Sequence, residues 1–394
     1  MNFPKLMLVL VLMSGFRVMA QEARETYRFS NDIKSAVLKD TVVWKYQVGA
    51  TDYSFNGSYK EAIDTWNPFV SKQAKISQSD SMYFQSFKSL NAKDYILNRS
   101  KKEEIIIINE AHHNSSHRVF TTSLLKGLYN NGYRFIGLEA LRDSLINQRK
   151  FPIRESGYYI QEPQFGNLVT QAIKIGFTVF GYDTKDKNGK EREREQAENI
   201  ARIIKRNPSS KFLIHCGYDH VIEGTPNVKS WEKAMAGRLI GLTKINPFTI
   251  DQVAYSENGK AHLNDPYIQI LNPKESSILI NDKGETFNRE KGNEKVDCSI
   301  IHPVTQYDNG RPTWLLLGGK RKIYSIPKYK IRQYPALVLA YRDGEFDLRG
   351  IPADVIEVLN ETQSSSLVLD KGKFEIIVKN KDYKITDRYR KRIH

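Results

Sequence analysis

The chain has 394 residues, with 60 Lys and Arg against 45 Asp and Glu and a formal charge of +15. Its length allows more than one hydrophobic core, with two units as the starting expectation. The basic residues are scattered through stretches such as "KKEE" and "KEREREQ". The excess therefore suits acidic partners or a membrane surface in general terms and carries no specific nucleic-acid signal.

The chain opens "MNFPKLMLVLVLMSGFRVMAQ". One Lys precedes a short apolar run, and Val18 and Ala20 stand at the −3 and −1 positions before Gln21. This is the pattern of a secretory signal peptide over residues 1–20, which implies a periplasmic or extracellular protein. Its removal takes away Lys5 and Arg17 and no acid, so the charge falls from +15 to +13. No later segment is long and apolar enough to span a membrane.

Residues 21–100 are polar and weakly periodic with scattered aromatics, and read as short helices packed against the later segments of the chain. From residue 104 strands and helices alternate. "EIIIIN" is a continuous β-branched run, as expected of a strand covered on both faces. The adjoining "SSHRVFTTSLLKGLYNNG" carries Val119, Phe120, Leu124, Leu125 and Leu128 on one helical stripe, stopped at Asn131–Gly132. "YRFIGLEA", "GFTVFGYD", "KFLIHCG" and "PFTIDQVAY" are further strands. "KEREREQAENIARIIKRNP" and "SWEKAMAGRLIGL" read as helices between them. The expected fold is α/β, a mostly parallel sheet flanked by helices over residues 21–262.

After about residue 262 come short β-prone runs separated by Gly, Asp and Asn, including a hairpin in "DKGKFEIIVKNKDYKI". Residues 263–394 are therefore expected to form a β-rich C-terminal unit. Cys216 and Cys298, the only cysteines, fall in different units on this reading. They are expected to be free or inert thiols, and one bridge at most is no disulfide scaffold.

Functional residues of an open parallel sheet collect beyond the carboxyl ends of its strands. The first strand ends at Glu110, with His112, His113 and His117 just beyond it. The second ends in Glu139, the third in Asp183, the fourth in His215 and then His220. A Glu–His pair can activate water, and the same residue types can hold a divalent metal. Each also has a structural reading: Glu139 as a helix cap, His215 as a hydrogen-bonded core residue, His112 as a neighbour of His113 turned away from it. A spacing of four residues suits His113 and His117 to one helical face and to metal binding, the other reading being two exposed residues on a first turn. His113, His117, Glu139 and His220 are thus the candidate metal ligands.

The stretch "INEAHHNSSHRVFTTSLLKGLYNNGYRFIGLEA" resembles the opening motif of the superfamily uniting erythromycin-esterase-like proteins, ChaN-type haem-binding lipoproteins and Tiki proteases. "REREQAENIARII" and "HCGYDHV" are similar to its arginine helix and its later glycine–histidine loop, and the likeness spans about residues 104–254. It implies catalytic or binding positions at Glu110, His113, Glu139 and His220, with His113 as base and Arg192 as a charge-stabilising group. Asn109 stands where the family has Gly, and Gln196 where it has Met. The superfamily divides between ester hydrolysis, metal-dependent proteolysis and haem binding, so the likeness speaks to fold more than to reaction. The resulting expectation is an exported hydrolase acting on an ester or amide of a small molecule or peptide, with a divalent metal assisting or not. The alternatives are a Tiki-like metalloprotease, or a haem or metal binder of the ChaN type with imidazole or Tyr218 as iron ligand. Residues 141–165, rich in Arg, Tyr and Phe, are the expected lid or substrate wall.

Overall fold

The computed structural model describes residues 25–66, 68, 75–185, 187–226, 228–287 and 295–394. The expected signal peptide lies outside these residues. At its centre is a six-stranded, all-parallel sheet. Its strands are β1 (Ile105–Glu110), β2 (Tyr133–Leu138), β3 (Thr178–Gly181), β4 (Lys211–Gly217), β5 (Phe248–Asp251) and β6 (Cys298–Ser299), in the order β3-β2-β4-β1-β5-β6. The α/β class expected from the alternation of strands and helices is the one observed.

The isoleucine run explains why β1 lies in the middle. Side chains alternate across a strand. Ile106 and Ile108 enter one apolar layer with Leu124, Leu125 and Leu128 of α1 (Ser115–Asn130) and Leu168 and Val169 of α2 (Pro163–Ile175). Ile105 and Ile107 enter the opposite layer with Ala197, Ile200 and Ile204 of α3 (Gly189–Arg206) and Met235 and Leu239 of α4 (Met235–Thr243). All four isoleucines are fully buried, each contributing roughly 2 kcal/mol of transfer free energy. No described helix is long and apolar enough to cross a membrane.

The C-terminal region is β-rich as expected. Strands β7 (Ala336–Arg342), β8 (Asp354–Val358), β9 (Gly372–Asn380) and β10 (Ile385–Ile393) form an antiparallel sheet in the order β8-β7-β9-β10. The expected hairpin joins β9 to β10, its turn held by the Asn380 side chain, which accepts from the Asp382 and Lys384 amides.

Two features differ from a division at residue 262. The edge strand β6 comes from residues 298–299, so Cys298 belongs to the same sheet as Cys216; both thiols are buried and free. The N-terminal region does not pack only on the parallel sheet. Tyr27, Phe29 and Phe55 pack against Leu337, Leu339, Tyr341 and Ile377 of the C-terminal sheet, and Lys88–Asn91 pairs with Ser277–Ile280. The short helices expected before residue 100 are present, among them Lys45–Phe55, Tyr59–Trp66 and Ala92–Arg99.

Asn109 makes contacts that a glycine could not. Its amide nitrogen donates to Tyr218 O (2.9 Å) and Asp251 Oδ1 (2.7 Å), and its amide oxygen accepts from the Gln252 backbone amide (2.7 Å). It thereby ties the ends of β1, β4 and β5 together. Truncating one member of such a buried set leaves the others without partners. Asn109→Gly and Asn109→Ala are expected to lower stability by about 2–3 kcal/mol, read as a lower urea midpoint at unchanged slope. An unshifted midpoint would show that the knot is not needed.

Several histidines are stored in this interior as neutral imidazoles. Burial drives His113 down to about 3, and His215 and His302 down to about 4. Between pH 6.5 and 4 the unfolded chain binds protons that the native chain refuses, so stability is present above this window and is lost as pH falls through it. His220 has the opposite sign. Burial opposes its charge, but Glu139 and Glu193 outweigh burial and raise its pKa; its contribution is present at low pH and is lost on the alkaline side. Acid melts should therefore show net uptake of about two to three protons on unfolding, or roughly 3–4 kcal/mol per pH unit at the steepest. A flat stability profile from pH 7 to pH 4.5 would contradict it.

Candidate active site

The strand ends deliver their acids to one place. β1 and β4 pair so that Glu110 lies level with Gly217, and β2 and β4 pair Leu138 with His215. Glu139, one residue further on, donates its amide to His215 O. Gly217 therefore sits between two carboxylates. A cleft of about 580 Å³, counted to its open mouth, lies above it. Glu110, His112, Glu139, Asp183, Arg192 and His215 line its floor, and Arg142, Tyr158, Tyr159 and Phe165 from the 141–165 segment line its wall.

Each carboxylate is fixed by an arginine. Arg118 of α1, with no exposed surface, donates from Nε and one terminal nitrogen to the two oxygens of Glu110 (both 2.6 Å). It also donates to His112 O (3.0 Å) and to Glu162 at the start of α2 (2.9 Å). Burial alone would raise the Glu110 pKa, but the Arg118 charge and hydrogen bonds outweigh it and hold this carboxyl well below the usual carboxylate range. Arg192 of α3 donates to Glu139 Oε1 (2.6 Å) and spans both oxygens of Asp183 (2.9 and 3.1 Å). Glu139 Oε2 accepts the Gly217 amide (2.6 Å). Burial again opposes ionisation of Glu139, and His220, Arg192 and the Gly217 amide bring it down to about 2.

His112 is the imidazole that faces this cleft. Its Nδ1 lies 3.0 Å from Glu110 Oε1, and its ring stacks on Tyr159 with centroids 3.8 Å apart. Because ionised Glu110 can only accept, Nδ1 carries the proton and Nε2 keeps its lone pair. A Cβ placed on Gly217 would lie 2.7 Å from that Nε2 and 3.4 Å from Glu139 Oε2. The free nitrogen and the second carboxylate thus meet over a residue that must be glycine.

His113, expected as the base, is elsewhere. Its ring stacks on Trp66 (centroids 4.0 Å, planes 8° apart), and it does not line the cleft. His113 precedes the Asn114 N-cap, whose side chain accepts the Ser116 amide, so it does not share a helical face with His117. His117 accepts the Ala111 amide at Nδ1 (3.1 Å) and stacks on His302. His220 sits behind the floor, 3.4 Å from Glu139 Oε1 and 2.9 Å from Glu193 Oε2, with Trp231 stacked on it. Of the expected residues, Glu110, Glu139 and Arg192 line the cleft, His220 supports it, and His113 lies outside.

The expected metal set of His113, His117, Glu139 and His220 does not converge. Among the described residues no three His, Cys, Asp or Glu side chains are placed to hold a metal ion. The carboxylate donors near the cleft are already committed, since both oxygens of Glu110 and both of Glu139 are bonded to guanidinium or amide groups, and the imidazoles beside them do not complete a ligand set. The residues therefore do not fit a divalent cation. Tyr218, the expected haem ligand, has a buried hydroxyl and does not line the cleft. Cys216 lines it but is buried, and burial pushes its thiol well up.

Arg118, Glu162, Glu193 and Tyr159 are site residues that the sequence reading misses. Arg118 has a readable signal, a charged residue on the stripe that also holds Thr122 and Leu125, both buried. Gln196 donates to Asp183 Oδ1 (2.7 Å) and so steadies the acid that holds Arg192.

No family model and no curated protein matches this chain. Among solved structures it is similar to the type III effector HopBA1, at 12% identity over 55% of this chain and 96% of that one, with a TM-score of 0.36. It is also similar to RRSP, a MARTX toxin effector domain from Vibrio vulnificus CMCP6, at 14% identity over 62% and 67% of the two chains, TM-score 0.29. A third similarity is to the C-terminal region of Pasteurella multocida toxin, described as having a thiol-protease-like catalytic triad, at 11% identity over 83% and 54%, TM-score 0.30. At these scores the similarity carries no argument about function.

Proposed function

We propose that this protein is an exported hydrolase in which His112 activates water against an ester or amide carbonyl. The observation that carries the proposal is the hydrogen bond from His112 Nδ1 to a carboxylate kept ionised by Arg118, with Nε2 left free over Gly217. Glu110 sets the tautomer and stabilises the imidazolium that forms when Nε2 takes a proton from water. The Arg192 guanidinium on the cleft floor is the charge available to a developing oxyanion. Glu139, ionised and anchored by the Gly217 amide, faces the same space and can orient the water. The solvent space inside the cleft, about 160 Å³, has room for the reacting end of a small ester. The leader-like start supports export.

Turnover of model aryl esters and of a mixed peptide substrate tests this. His112→Ala is expected to lower kcat by about 10²–10⁴-fold, and Glu110→Gln by about 10²-fold or more, with both variants folded by circular dichroism. His113→Ala should keep kcat within a few-fold of wild type while losing thermal stability, because its ring supports Trp66. The reverse pattern, activity lost with His113 and kept without His112, would sink the assignment.

Gly217→Ala gives an independent check. The added methyl runs into the His112 ring and must push it off the Glu110 bond. The expected result is a loss comparable to His112→Ala at nearly unchanged Tm. Wild-type kcat in this variant would mean that the imidazole position does not matter.

A further inference from the structure

A hydroxyl–imidazole pair lies in a different place, and its hydrogen bonds can be traced outward from a fixed point. Asn109 O can only accept, and Gln252 Nε2 lies 2.7 Å from it, which assigns the amide nitrogen of Gln252 to that side. The Gln252 oxygen then faces His302 Nε2 at 3.1 Å, so that nitrogen must carry the proton. His302 Nδ1 is left as an acceptor, and Ser276 Oγ lies 2.8 Å from it. The serine proton therefore points at His302. Ser276 and His302 both line an open groove of about 1120 Å³, the largest of the cavities described, and no residue lines both this groove and the Glu110 cleft. Val119, Phe120, Trp314 and Leu317 make much of its wall, and Lys93 and Lys320 stand at its rim.

We propose that Ser276 is a nucleophile for acyl transfer from lipophilic esters with a good leaving group, with His302 as its base and Gln252 as the residue that positions the base. The groove's apolar wall would seat the acyl chain, and Lys93 and Lys320, which line the same groove, are the cations it offers to a developing oxyanion. In the step, Ser276 Oγ bonds to the acyl carbon as its proton passes to His302 Nδ1. The carbon–oxygen bond to the leaving group breaks, and the proton moves on to that oxygen. Water then cleaves the acyl-serine by the same path. Gln252 supplies the tautomer control that an aspartate gives in a serine triad, but not its charge, which confines the chemistry to activated esters. Burial keeps His302 unprotonated well below neutral pH, so acylation should persist into mildly acidic buffer.

The test uses the full chain carrying His112→Ala, so that the first site is silent. The protein is treated with an alkyl fluorophosphonate, which forms an Oγ–P bond and releases fluoride, and the adduct is located by peptide mass spectrometry. Release of p-nitrophenol from p-nitrophenyl hexanoate is monitored in parallel. One adduct on Ser276 is expected, reduced at least tenfold by Ser276→Ala and by His302→Gln, with labelling nearly constant from pH 5 to pH 8. Gln252→Leu should lower the labelling rate and leave the Ser276→Ala background unchanged, which a merely structural residue would not do. No adduct, an adduct on another residue, or equal labelling of Ser276→Ala overturns the proposal and leaves the His112 reading untouched.

Discussion

The Arg118 guanidinium is the interaction on which the rest of this site depends. It lies wholly inside the protein and is bonded to Glu110, Glu162 and His112 O. Two buried carboxylates facing one another would repel and one would take up a proton; placed on either side of Arg118 they form a triad. Burial of such a set gives little net stability by itself, yet removing one member leaves an uncompensated charge that costs about 3–5 kcal/mol. The triad therefore acts as a constraint more than a source of stability. It joins the end of β1, the first turn of α1 and the start of α2 at a single point. It also keeps Glu110 ionised, and an ionised Glu110 dictates which nitrogen of His112 carries the proton.

The second arginine repeats this logic with a different result. Arg192 spans Glu139 and Asp183 and remains partly open to the cleft, where Arg118 is sealed. Its charge is available to a ligand in a way that the charge of Arg118 is not. Held between Gly217 N–H and Arg192, Glu139 stays a carboxylate at all ordinary pH values, and His220 and Glu193 extend the network into α4 through the Met235 amide. The carboxylates of the cleft floor are thus bonded to guanidinium and amide groups before any ligand arrives, while His215 Nε2 on that floor has no hydrogen-bond partner among the described residues. Such preorganisation is what electrostatic stabilisation of a transition state requires.

Much of this is legible in the sequence. The isoleucine run marks a central strand because an apolar run without alternation needs cover on both faces, and the acids at the ends of β1 and β2 point into one cleft because parallel strands present their carboxyl ends on one edge. The choice between His112 and His113 goes astray for a specific physical reason. A helical period carried from His113 to His117 starts too early, because the helix begins only after Asn114. Between the end of β1 and that cap the chain makes a turn, closed by the Asn114 amide on Ala111 O, which leaves His112 beside Glu110 and His113 against Trp66. The partners of Arg118 cannot be read at all, because Glu162 is 44 residues away and reaches it only through packing of α1 on α2. The return of residues 298–299 to the parallel sheet is equally hidden, since a two-residue edge strand leaves no periodic trace.

Asn109 carries a part of the architecture that a glycine could not. Its side chain bonds to Tyr218 O beyond β4 and to Asp251 of β5, where a glycine would leave the backbone open. The backbone carbonyl of Asn109 also anchors Gln252, which orders His302 and, through it, Ser276. One residue therefore sets the geometry on both faces of β1. The strand end that positions Glu110 over the cleft is held by the same knot that orients a serine in the groove beyond α1. A change at Asn109 must loosen both together, whereas changes at Arg118 act on the cleft side alone.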